Sequence, residues 1–128
     1  MKLLLDTHAL IWWLAGDDAL SLPAREVIAD MANEVAVSAA SAMEISTKFR
    51  LGKLPQAALL ARDFEAIIAA QGFAELPIRF AHARVAGAMN IAHRDPFDRL
   101  LIAQAQVEDM ILVSNEALFD DFTVRRLW

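Results

Sequence analysis

Three short apolar runs punctuate the chain: KLLL at 2–5, EVAVS at 34–38 and MILVS at 110–114. Each predicts a strand, and KLLL, apolar on both of its alternating faces, predicts a buried one. Between them the pattern turns helical. THALIWWLAG, 7–16, predicts a helix stopped by Gly16. SLPAREVIADMAN, 21–33, puts Pro23 near the start of a second helix, where its fixed dihedral and missing donor are tolerated. SAMEISTKFRLG, 41–52, predicts a third, with Arg50 near its end and Gly52 closing it. AALLARDFEAIIAAQG, 57–72, has the clearest amphipathic period. FAELP is a short extended piece, and IRFAHARVAGAMNI, 78–91, predicts a helix carrying Gly87. Pro96 restricts the residue before it, and helix resumes through FDRLLIAQAQVE. NEALFDDF predicts a short helix, and TVRRLW a terminal strand.

Strands alternating with helices predict an α/β fold around a mostly parallel sheet. The 128 residues suit one domain, 1–128, and 57% hydrophobic content supports a substantial core. With 23% charged residues, four Gly and four Pro, the composition is not that of a disordered chain. No run of 18 uncharged apolar residues exists to span a membrane. The opening MKLLLDTHALIWWLAGDD has the outline of a signal peptide, but Asp6 and His8 interrupt its apolar run. Without an export signal, the cytoplasm is the expected location. The absence of cysteine excludes disulfides and thiolate chemistry. A net charge of -5 argues against nucleic-acid binding by bulk electrostatics alone. It is compatible with a nucleic-acid enzyme whose carboxylates recruit phosphate through a divalent metal.

The acids fall at telling places. Asp6 follows KLLL, and Glu116 follows MILVS. Glu44 lies in the helix after EVAVS, and Asp98 opens the helix after Pro96. In an open α/β sheet, ligands bind beyond the carboxyl ends of the strands. Four acids converging there repel one another unless a cation neutralises them. Mg²⁺, with Mn²⁺ as a substitute, suits such oxygen ligands.

Each acid also has a local role. Asp6 suits the cap of the helix starting at Thr7. Ser41 and Glu44 match a capping box, and Glu44 can pair with Lys48. Asp95, Pro96 and Asp98 form a helix start with Asp95 as cap. Asp98 shares its helix face with Leu101, Ile102 and Ala105, which places it at a buried edge. Glu116 favours a helix N-terminus.

Four stretches taken together resemble the motifs of PIN-domain ribonucleases, specifically the toxins of VapBC-type toxin–antitoxin systems. They are LLLDTHALIWWL, VSAASAMEISTKFRLGKL, HRDPFDRLLIAQA and ILVSNEALF, and the resemblance runs from residue 3 to the terminal VRRLW. It implies a single PIN-like three-layer sandwich. It implies Asp6, Glu44 and Asp98 as the main metal-site residues. In the fourth motif, commonly VT-x-D, this chain has VSNE, so Ser114 and Glu116 stand for Thr and Asp. The longer Glu116 completes the acidic cluster and leaves a second metal position open. The implied chemistry is hydrolysis of RNA phosphodiester bonds by metal-activated water, with Thr7 and Ser114 orienting acids or water. The resemblance also implies a homodimer and a small antitoxin partner in a hetero-oligomer.

Lys48, Arg50 and Lys53 form a basic patch near the second motif, and Arg94 and Arg99 flank the third. They suit backbone phosphate or ordinary surface, and Asp95 and Arg99 also suit a helix pair. His8 is expected to pack beside the first helix, and His93 to be a loop or helix-end residue. Of the adjacent Trp12 and Trp13, one is expected in the core and one partly exposed, where it would anchor a dimer or antitoxin. A noncatalytic protein-interaction domain of the same fold is the competing reading. A phosphatase with an aspartyl nucleophile is weaker, because His8 stands where its second Asp belongs.

Overall fold

Leu3, Leu4 and Leu5 are all fully buried, although consecutive strand residues face opposite ways. Both faces of β1 (Lys2–Leu5) are therefore covered, which is why its sequence is apolar throughout rather than alternating. A computed structural model describes residues 1–128 and shows β1 at the centre of a five-stranded sheet. The order is β3 (Ala74–Leu76), β2 (Glu34–Ser38), β1, β4 (Ile111–Val113), β5 (Arg125–Leu127). Every pairing is parallel, so each connection crosses over a face of the sheet.

The crossovers supply α1 (Thr7–Ala15), α2 (Leu22–Ala29), α3 (Ala39–Arg50), α4 (Ala58–Arg62), α5 (Phe64–Ala70), α6 (Phe80–Ala88) and α7 (Pro96–Val107). On one face, Leu3, Leu5, Val35, Val37 and Val113 pack with residues of α1 to α5, among them Leu10, Ile28, Ile45, Leu60 and Ile68. On the other, Leu4, Ala36 and Leu112 pack with Leu101, Ile102 and Ala105 of α7 and with Phe119. The result is a three-layer α/β sandwich. Truncating any of the three buried leucines to Ala is expected to cost about 2–5 kcal/mol.

Several local expectations change. The 57–72 helix is broken: a 3₁₀ turn at Pro55–Ala57 precedes α4, and Asp63, with φ -117° and ψ 38°, separates α4 from α5. Leu60 and Ile68, one on each side of the break, are buried in the same cluster, so the apolar face survives the interruption. NEALFDDF forms a 3₁₀ turn, Ala117–Asp121. The capping box does not form. The chain enters α3 directly from β2, and the Ser38 side chain accepts from Ala40 N at 2.9 Å. Ser41 and Glu44 therefore lie inside the helix, where both are buried. Neither Trp12 nor Trp13 is fully buried or fully exposed; both pack against the first core cluster. Trp12 lies against Trp128, and Trp13 Nε1 donates to Gln71 Oε1 at 2.9 Å. No helix is long and apolar enough to cross a membrane.

Candidate active site

The chain passes from β1 to β2 and β3 on one side of the sheet, then returns to β4 on the other. The order reverses between β1 and β4, so a crevice opens at their carboxyl ends. Asp6 leaves β1 at this point. Its backbone N–H still bonds to Val113 O at 3.1 Å, while its carboxylate caps α1 by accepting from Ala9 N at 2.8 Å. The cap role and the site position thus coexist in one residue.

Asp6, Glu44, Asp98 and Glu116 all line one pocket of about 90 Å³, together with Thr7, His8, Lys48, Asp95 and Leu101. That is room for several waters. Larger hollows exist elsewhere. The largest, about 560 Å³ beside Phe64, Phe73 and Ile78, is mainly apolar, with Glu65 and Glu75 its only acids. The small acidic pocket is where ionisable groups from four separate segments meet.

Each acid is held differently. Burial, the dominant cause, raises the Asp6 carboxyl from 3.8 to about 6; the Ser114 hydroxyl, the Ala9 amide and the His8 charge oppose it, and Asp98 adds to it. Glu44 is buried, with Oε1 2.6 Å from Thr7 Oγ1 and Oε2 2.5 Å from Lys48 Nζ. Thr7 Oγ1 also lies 3.1 Å from Ser41 Oγ, so the hydroxyls order this side of the pocket. Asp98 is half-buried, and burial raises its carboxyl; a hydrogen bond from His93 opposes this, while Asp95 and Glu44 add to the rise. Glu116 is exposed, and its backbone N–H donates to Ser114 Oγ at 3.0 Å.

An all-oxygen donor set around a buried acid fits a hard divalent cation such as Mg²⁺ or Mn²⁺, not zinc. No three His, Cys, Asp or Glu side chains are gathered closely enough to hold one ion as they stand. Both oxygens of Glu44 are already engaged, by Thr7 and by Lys48. Asp6, Glu44, Asp98 and Glu116 fit the cation in type and line one pocket, but a ligand shell is not assembled.

Other expected contacts divide. Lys48 lines the pocket, while Arg50, Lys53 and Arg94 are exposed outside its lining. His8 is exposed at the pocket and also stacks on Trp12, with ring centroids 5.5 Å apart. Asn115 is exposed and takes no part in the lining. Asp95 caps α7, accepting from Phe97 N at 2.9 Å, but it does not pair with Arg99. Arg99 turns inward instead. It donates to the carbonyls of Ala86, Met89 and His93 at 2.8–3.0 Å, with longer contacts to Gly87 and Ile91 at 3.5 Å. The loop so held presents His93, whose Nε2 lies 2.8 Å from Asp98 Oδ2. His93, expected as a loop or helix-end residue, thus also contacts a pocket carboxylate; its spacing from Asp98 across Pro96 is the available signal. Arg126 was not anticipated either. It donates to Ser114 O at 2.9 Å and makes a two-point contact with Asp120, fixing the turn after β4.

Residues 3–124 match the PIN domain family. The chain belongs to the PIN domain family. Its PIN fold is shared with a chain of VapBC2 from Rickettsia felis, solved bound to a DNA fragment from the promoter, at 14% identity and a TM-score of 0.73, covering 100% of this chain and 99% of that one. It is likewise similar to a toxin–antitoxin complex from Klebsiella pneumoniae, at 16% identity and a TM-score of 0.61 over 98% and 95% of the two chains. FitAcB from Neisseria gonorrhoeae has 19% identity and a TM-score of 0.63 over 98% and 96%. No curated protein matches the sequence significantly. PIN domains of the VapBC type are generally metal-dependent ribonucleases. In this PIN domain the acids of all four motif-bearing segments reach the same pocket.

Proposed function

We propose that this PIN domain is a metal-dependent ribonuclease, the toxin of a type II toxin–antitoxin pair. The observation that carries the reading is the meeting of Asp6, Glu44, Asp98 and Glu116 in one pocket at the β1–β4 reversal. Asp6, Glu44 and Asp98 would hold Mg²⁺, or Mn²⁺ in its place, with Glu116 completing the set directly or through water. When bound, such an ion polarises a phosphoryl oxygen and lowers the pKa of water, supplying the nucleophile for phosphodiester hydrolysis. The protein's own part is positional. Asp6 is fixed by the cap of α1, Glu44 by Thr7, and Asp98 by His93. The nucleophile in this reading is water, and no side-chain nucleophile is needed.

One similar chain belongs to a toxin–antitoxin complex and another to VapBC2 bound to promoter DNA, which supports an antitoxin partner; the homodimer rests on the motif resemblance alone.

The test is cleavage of a mixed cellular RNA pool by antitoxin-free wild type and by Asp98→Asn, with Mg²⁺, with Mn²⁺ and with EDTA. Metal-dependent cleavage that disappears in the variant is expected. Folded wild type that is inert with both metals would instead indicate a noncatalytic interaction domain.

A further inference from the structure

Lys48 is the one lysine or arginine in the lining of the acidic pocket. Its ammonium lies 2.5 Å from Glu44 Oε2. Glu44 is buried, and a buried carboxylate needs a counter-charge. Its second oxygen is taken by Thr7. A divalent cation on Glu44 must displace one of these partners or share its oxygen with it, since each carboxylate oxygen carries two lone pairs. The Thr7 hydroxyl is neutral, buried and braced by Ser41. Lys48 is positively charged, so it and a divalent ion repel each other at one carboxylate.

Lys48 is also free to leave. It lies one helical turn from Glu44, and its side chain is 35% exposed. One-turn pairs are weak where both partners are solvated; here the buried Glu44 holds the lysine until another cation takes over its neutralisation. The four-carbon stem swings its three donors without disturbing the helix, whereas the planar guanidinium of Arg99 is locked onto backbone carbonyls. A lysine displaced to the rim of a phosphodiesterase pocket stands where phosphate oxygens must arrive, and lysine binds phosphate as a point charge.

We propose that Lys48 is the pocket's exchangeable counter-ion: it neutralises Glu44 until a divalent cation takes that carboxylate, then contacts the phosphate of the bound RNA. This inference rests on the ribonuclease reading.

The experiment compares wild type, Lys48→Met and Arg50→Gln, each checked for folding. Lys48→Gln replaces the Met variant if that fails to fold. Mn²⁺ affinity is measured by calorimetry on the free proteins, and kcat/KM on the RNA pool at saturating Mn²⁺. Removing Lys48 is expected to tighten Mn²⁺ binding about fivefold while lowering kcat/KM about tenfold or more. Arg50→Gln removes the same charge from α3 without touching Glu44, and its Mn²⁺ affinity should stay within about twofold of wild type. The inference is overturned if Lys48→Met leaves Mn²⁺ affinity unchanged, if Arg50→Gln tightens it equally, or if Lys48→Met cleaves like wild type. Wild type that binds no Mn²⁺ sinks the ribonuclease reading and this inference with it. Wild type that binds and cleaves, matched by Lys48→Met, sinks this inference alone.

Discussion

His93 Nε2 stands 2.8 Å from Asp98 Oδ2, across the turn that opens α7. The imidazole thereby sets the direction of a carboxylate that lines the acidic pocket. Hydrogen-bond partners of ligating groups typically matter 10–100-fold. His93→Phe should therefore lower kcat/KM by about 10-fold or more with little change in thermal stability, since the ring already packs near Phe122. Steady-state cleavage paired with thermal melting checks this. Unchanged cleavage would reduce His93 to a loop residue.

Arg99 holds the loop from which His93 projects. Its guanidinium satisfies several backbone carbonyls at once. Arg99→Met should cost about 2–4 kcal/mol, because those acceptors lose a charged donor. Arg99→Lys should not restore it, since one ammonium cannot span the same carbonyls. Urea unfolding gives the stability. Hydrogen exchange should show faster opening of residues 87–95 in both variants.

Burying the Asp6 carboxylate costs stability at neutral pH. Its folded-state pKa is raised from 3.8 to about 6, so the folded protein binds this proton more tightly than the unfolded chain. Stability from this group is lost as pH rises from about 4 through 6, reaching about 3 kcal/mol at neutrality as an upper figure. Asp6→Asn keeps an acceptor for the Ala9 amide and carries no buried charge. It should be more stable than wild type at pH 7, approach it near pH 4, and be inactive. Melts of both proteins across pH 4–8 decide the matter; an Asn variant less stable at neutrality contradicts it.

Divalent cation should reverse the same penalty. A ligand at a hundred times its Kd stabilises by about 2.7 kcal/mol. Wild type should therefore melt higher in Mg²⁺ or Mn²⁺, and the gain should shrink as pH falls through about 6, where Asp6 takes up its proton. Burial raises Asp98 in the same direction. Asp98→Asn should lose most of the gain. An equal gain in that variant would place the ion elsewhere.

Much of this architecture is readable locally. KLLL, apolar on both faces, is the central strand because both faces are covered. Asp95 before Pro96 caps α7 as its chemistry dictates, and Glu44 meets Lys48 because one helical turn separates them. Local reading misled where two signals competed. SAME has the form of a capping box, yet Ser38 captures the cap because β2 ends there. Asp95 and Arg99 have pairing distance, yet Arg99 finds carbonyls that need it more.

The order of strands and helices, the caps and the identity of the acids follow from interactions spanning a few residues, which the chain encodes wherever they occur. The contact of Thr7 with Glu44, the path that sets His93 against Asp98 and the closure of one pocket by four segments do not. They depend on the sheet reversing its order between β1 and β4, a choice made by burying both faces of β1 at once. The same packing buries Asp6 in a pocket that Glu44, Asp98 and Glu116 also line, and burial is what raises its pKa.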